Sequence, residues 1–234
     1  MEKNSEAQEE TNTKKGNIKT TAATTIITII IVILLGIVSI VLSRKDNKIE
    51  HKWDKPIIYL YPTAEIEVTI SLGNPNLLIH TYPKYNKEWN VLAKPNGDLV
   101  DINTNRNLYA LYWEGINNEK LDMSEGFVVA GKDTIPFLEE KLGILGLNER
   151  EANEFIIYWL PKLENNKYNF IRFKTAEEIE KNMPLYVTPI PDTIIRVMME
   201  FKALNKKIKV KEQLINKVNR EGFVVVEWGG TEFK

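Results

Sequence analysis

EIEVTISL, residues 65–72, alternates Ile66, Val68, Ile70 and Leu72 with Glu65, Glu67, Thr69 and Ser71. Successive side chains of a strand point to opposite faces, so this run has one dry face and one wet face, as in an antiparallel sheet covered on one side. The texture continues in both directions. KPIIYLYP (55–62) precedes it as a short apolar run closed by proline, and NLLIHTY (76–82), WNVLAK (89–94) and NLYALYWEG (107–115) follow as further strands. Asn96-Gly97, between the last two, is a tight-turn signal. This half of the chain is expected to be antiparallel β.

Helices enter further along. In LNEREANEFIIYWLPKL, Asn148 is an expected N-cap with Glu151 as the returning acid, and Leu147 and Ala152 are placed as a hydrophobic staple. Ala152, Phe155, Ile156 and Trp159 share a helical stripe that Pro161 is expected to end. Thr175 with Glu178 caps a shorter helix, and a third covers about 135–145, stopping near Gly143 or Gly146. NFIRFK, PLYVTP, DTIIRVMMEFK and FVVVEW read as strands, while VKEQLINKVN fits either helix or strand. The spacing predicts an α+β domain over 56–234, β-rich and antiparallel with a few helices.

Upstream the composition changes. Residues 24–42, TTIITIIIVILLGIVSIVL, hold no charge and are long enough as a helix to cross roughly 30 Å of hydrocarbon. They predict a single transmembrane helix, preceded by a disordered polar tail (1–23) and followed by a charged linker (43–55). The apolar core exceeds that of a cleaved signal peptide, and no small-x-small site follows it. Orientation is contested: Arg44, Lys45, Lys48, Lys52 and Lys55 after the span outnumber Lys14, Lys15 and Lys19 before it, which on the charge rule alone favours a cytoplasmic C-terminal side.

Composition excludes several chemistries. The chain has no cysteine and two histidines, so disulfide frameworks, thiolate zinc sites, cysteine nucleophiles and histidine-rich metal centres are all absent from its repertoire. From Pro56 onward 22 bases stand against 25 acids, which leaves no electrostatic footprint for nucleic acid. Lys206, Lys207, Lys209 and Lys211 read as a solvated edge. GFVVAGKDTI (126–135) has the glycine spacing of a phosphate-binding loop, but strand-forming residues fill the gap and Asp133 replaces the hydroxyl that would hold magnesium. Neither nucleotide nor cofactor is expected.

Two acids lie beside tryptophans: Trp113 and Glu114 in YALYWEG, and Glu227 and Trp228 in VVVEWGG. Paired carboxylates could act as acid and base on a glycosidic bond, with the rings as sugar platforms, if they stand roughly 5–10 Å apart. The alternative is structural: Glu227, on a face with Phe223 and Val225, pairs with Arg196 or Arg172. His80 and Tyr82, with Tyr85 and Trp89, form an aromatic cluster that could line a groove for glycan or peptide, or pack between sheet and loop. His80, alternating with Leu78 and Tyr82, is expected to be a hydrogen-bonded core residue.

Five blocks, KPIIYLYP (55–62), TYPKYNKEWNV (81–91), YWEG (112–115), PDTIIRV (191–197) and GFVVVEWGG (222–230), resemble an uncharacterised bacterial family of exported or membrane-anchored proteins. The resemblance spans Lys55 to Thr231 and brings no activity, ligand or catalytic residue. It implies export before KPIIYLYP, hence a C-terminal domain outside the cytoplasm. The sequence-based expectation is a single-pass protein of the bacterial cell membrane whose outer domain is a non-enzymatic envelope module, binding glycan or protein. Its rival is an envelope hydrolase using Glu114 and Glu227.

Overall fold

The computed structural model describes residues 29–36 and 51–234. The first of these, helix α1, presents Ile29, Ile30, Ile31, Val32, Ile33, Leu34 and Leu35 about half exposed or more. Most of the 24–42 run, with the tail and most of the linker, lies outside the described residues. Among the described residues no helix is long and apolar enough to cross a membrane.

The rest is one α+β unit of two sheets and three helices. An eight-stranded sheet has the order β12-β8-β9-β11-β13-β1-β7-β3, and a five-stranded sheet has the order β10-β2-β4-β5-β6. In the first, β1 is His51–Tyr61, β3 Leu78–Tyr82, β7 Leu111–Asn117, β8 Glu125–Ala130, β9 Tyr168–Phe173, β11 Thr193–Leu204, β12 Lys211–Glu212 and β13 Val224–Phe233. In the second, β2 is Ile66–Leu72, β4 Trp89–Ala93, β5 Leu99–Asp101, β6 Asn107–Leu108 and β10 Leu185–Thr188. Pairing is antiparallel except at β11–β13 and β12–β8. The run 65–72 behaves as its alternation demands: Val68, Ile70 and Leu72 are buried, and Glu67 is exposed.

The large sheet is covered on both faces, by different means. Helices α2 (Thr134–Ile144) and α3 (Glu149–Leu163) bury Leu138, Leu142, Phe155 and Trp159 against Ile57, Tyr59, Val197, Met199, Phe201 and Trp228. On the opposite face the small sheet packs Val68, Ile70, Trp89 and Val91 against Ile58, Leu60, Trp113 and Val225, with Ile179 of α4 (Ala176–Asn182) at the margin. Strand β11 reads directly in these terms: Ile195, Val197, Met199 and Phe201 enter the helix-side core, and Arg196, Met198 and Glu200 face the other way.

The helix caps are those expected. Asn148 with Glu151 and Thr175 with Glu178 both close reciprocal capping boxes. Three local readings need correction. Pro161 does not end α3, which continues to Leu163; proline in the last turn forfeits one backbone bond but leaves the helical dihedrals available. Strand β1 begins at His51, inside the segment read as linker, because Trp53 supplies a large core side chain that polar neighbours hide from a windowed reading. Of the ambiguous 210–219 stretch, only Lys211–Glu212 forms regular structure, as a short pair with β8.

The phosphate-loop spelling folds as β8, a single 3₁₀ turn at Gly131–Asp133 and then α2. Gly131 is needed for packing: a β-carbon there would collide with the carbonyl oxygens of Glu164 and Asn166 beyond α3. Carbonyl oxygens thus crowd the second glycine of the spelling.

Candidate functional site: a tyrosine cleft beside a buried ion pair

Strand β7 divides the proposed residues between two environments. Its odd positions, Leu111 and Trp113, enter the core beneath the small sheet, and its even positions, Tyr112 and Glu114, lie on the helix side. Glu227 takes the first environment. It is fully buried; Arg196 donates from Nε to its Oε2 at 2.6 Å, and Trp113 donates from Nε1 to Oε1 at 2.8 Å. Arg196 also donates to Glu180 Oε2 at 2.6 Å and to the Met183 carbonyl at 2.8 Å. Both carboxylate oxygens of Glu227 and all three guanidinium nitrogens of Arg196 are hydrogen-bonded, and Glu227 has no exposed surface. Such an arrangement locks β11, β13, β7 and α4 together rather than transferring protons.

A second network continues along this face. Arg172 donates to Glu200 at 2.9 Å and to both oxygens of Glu178, while Lys174 reaches Glu119 at 2.7 Å and Glu200 at 3.4 Å. Burial pushes the Glu200 carboxyl up, against the pull of Lys174 and Arg172. For Glu178 burial also pushes upward, but the Arg172 bond and the Thr175 amide outweigh it and the carboxyl lies below its usual range. The folded state therefore binds fewer protons at Glu178 than the unfolded chain does near pH 4. Its contribution is present above the unfolded value of about 4.3 and is lost as pH falls through the folded one. Glu200 acts with opposite sign, its contribution shrinking as pH rises through the raised value. The Glu178→Gln variant is expected to show a smaller loss of urea midpoint than the wild type between pH 5 and pH 3; equal losses would exclude Glu178 as an acid-sensitive latch.

Glu114 takes the second environment. Lys55, Ile57, Tyr82, Tyr109, Tyr112, Glu114 and Tyr158 line a cleft of about 500 Å³ with Asn107 at its rim. Strands β1, β3, β6 and β7, the turn between β6 and β7, and helix α3 build it. Register sets Tyr82 of β3 opposite Tyr112 of β7 and His80 opposite Glu114. A bulge in β1 between Asp54 and Ile57 carries Lys55 at φ 60°, placing its ammonium 5.7 Å from the ring centres of both Tyr112 and Tyr158. The last half of α3 contributes Tyr158, one turn before Lys162, which holds Asp54 at 3.1 Å. Tyr82 and Tyr109 remain 51% and 46% exposed, the Tyr109 ring with the Arg150 guanidinium 5.3 Å from its centre. Burial, followed by the adjacent Glu114 carboxylate, raises the Tyr112 phenol well above its ordinary value, and burial raises that of Tyr158. Both therefore serve as neutral hydroxyls that donate and accept hydrogen bonds.

The candidates thus separate. Tyr82 and Glu114 meet in the cleft, with His80 on the same strand face as Glu114 but exposed rather than in the core; β3 is the edge strand, and its one-residue register shift after Leu78 turns His80 outward. Trp113, Arg196 and Glu227 belong to the buried pair. Trp228 lies in the helix-side core, its ring 5.3 Å from that of Phe155, with an indole nitrogen that has no protein partner. Glu114 and Glu227 stand on opposite faces of the sheet, an arrangement that does not fit the paired-carboxylate reading. Sequence reading missed Lys55, Tyr109, Tyr112 and Tyr158. Tyr112 was within reach, since it shares the period-two face of Glu114; Lys55 and Tyr158 depend on a bulge and a helix placement that no local pattern encodes.

Among the described residues no group of three histidine, aspartate or glutamate side chains is placed to hold a metal ion. No family model, no curated protein and no solved structure matches the chain.

Proposed function

We propose that the chain is a membrane-anchored protein whose α+β domain lies outside the cytoplasm and acts as a non-enzymatic binding module, with the tyrosine cleft recognising an envelope glycan. The cleft carries this reading. Sugar rings offer apolar C–H faces and a rim of hydroxyls, and the cleft offers half-exposed phenol faces beside Lys55, Glu114, Asn107 and four phenolic hydroxyls. A cation and a carboxylate in one cleft suit a neutral polyhydroxylated ligand better than a strongly charged one, because either charge alone would repel a matching ion. The uncharged run at 24–42 supports the anchor, and the resemblance of the five blocks supports export.

The test is co-sedimentation of the full chain in detergent with purified peptidoglycan sacculi. Removing both exposed rings, as Tyr82→Ala with Tyr109→Ala, is expected to weaken retention at least about tenfold, each ring contributing roughly 1 kcal/mol. Wild-type protein that stays in the supernatant, or a double variant that sediments equally, would remove the glycan reading.

A further inference from the structure

Charge is segregated along the strand axis of the domain, and we infer that its lysine-rich end docks on the headgroups of an anionic phospholipid bilayer. The strand registers define that end. Strand β1 begins there, with His51 opposite Asn117 at the close of β7 and its ring nitrogen 3.3 Å from the Glu232 carbonyl near the close of β13. Strand β11 runs parallel to β13, so Lys202 lies beside Phe233, and Leu204 at its end faces Tyr168, which in turn faces Ala130. Lys52, Lys132, Lys167, Lys206, Lys207 and Lys234 therefore emerge from one end, and all six are exposed. Lys132, Tyr168 and Lys207 line a single shallow hollow there with Asp133. The acids at this end, Glu119 (paired with Lys174), Asp133, Glu164 and Glu232, are fewer.

The domain as a whole gives no such excess, since acids outnumber bases from Pro56 onward. The far end, where Tyr61 and Thr193 both pair with Val224, carries the acids Glu65, Asp98, Asp192 and Glu221 against Lys94, which pairs with Glu65, and Arg220, which lies over the Tyr61 ring. An acidic domain with one basic pole is oriented by a negatively charged surface, the basic pole toward it. The basic pole is also where the chain enters the domain. The eight residues Ser43–Glu50 separate the uncharged run from His51 and span at most roughly 29 Å when fully extended. This inference rests on the membrane-anchored reading for the presence of a bilayer within that reach, and it assigns a role to Lys206 and Lys207 beyond that of a solvated edge.

The full chain has no native cysteine, so single dye sites can be introduced at Ala203→Cys, beside the basic pole, and at Ile190→Cys, which is 89% exposed near the other pole. Each labelled protein is reconstituted into neutral phosphatidylcholine vesicles or vesicles with a third phosphatidylglycerol, with an acceptor dye on the headgroups. Energy transfer from position 203 is expected to rise in the anionic vesicles at low salt, to fall at 0.5 M NaCl, and to fall with Lys206→Glu plus Lys207→Glu. Transfer from position 190 stays low throughout. Each lysine near such a surface is worth about fivefold in affinity, so the double reversal should weaken docking by roughly 30-fold or more. Equal transfer from position 203 in both vesicle types, or transfer unaffected by the double reversal, would overturn the inference. Flotation with neutral vesicles in high salt reports the anchor separately. A chain that fails to float there, yet floats with anionic vesicles at low salt, loses the anchor and keeps the docking surface.

Discussion

Glu227→Ala is expected to remove about 3–5 kcal/mol of folding stability, the usual cost of breaking a buried ion pair from one side. The reason is what remains. Arg196, whose side chain is 4% exposed, keeps Glu180 and the Met183 carbonyl but loses its shortest buried partner, and the Trp113 indole loses its acceptor. A domain of this size holds about 5–15 kcal/mol in all, so the variant should unfold at a much lower urea concentration, read by tryptophan fluorescence. Replacing both partners with apolar residues, as Glu227→Leu with Arg196→Met, should restore part of the loss, since no charge is then stranded. A single variant with an unchanged midpoint would mean that the pair stabilises nothing.

The second large effect lies on the other face. Trp159→Ala should cost about 3–5 kcal/mol, because it empties the place where α3 meets the sheet. Trp159 packs edge-on to Phe201 at 5.8 Å and to Tyr158 at 4.9 Å, under the ammonium of Lys162 at 4.9 Å. The sheet has adapted to it: Gly230 leaves room where a β-carbon would press on the indole and on the Met199 carbonyl. Loss of the ring should also loosen Tyr158 and so the wall of the cleft. Thermal unfolding read by circular dichroism checks the stability change, and a shift in melting temperature of under a few degrees would show that the helix layer closes over the gap.

Local structure was largely legible because it is locally encoded. The alternation in 65–72, the Asn96-Gly97 turn between β4 and β5, both capping boxes and the two faces of β11 each depend on a few neighbouring residues, and each folds as its pattern requires. The pairing of β11 with β13 is another matter. It is parallel and joins Arg196 to Glu227 across a segment with little regular structure, so composition suggested the partner but could not fix it. The cleft was less legible still. Lys55, Tyr82, Tyr112 and Tyr158 come from separate strands and a helix, and each looks like ordinary core or linker in its own window. His80 shows the limit of alternation: an edge strand with a register shift sends to solvent a residue that the pattern assigns to the core.

The large sheet separates two acids that a sequence reader would pair: Glu227 is buried in an ion pair on one face, and Glu114, on the other, lines the cleft proposed for recognition. Co-sedimentation with peptidoglycan sacculi, run on Glu114→Gln and Glu227→Gln at a temperature where circular dichroism shows both folded, tests that division most directly. Retention reduced for Glu114→Gln and preserved for Glu227→Gln is the predicted result. Wild-type retention in both, or release of soluble sugar that disappears in both variants together, would contradict it.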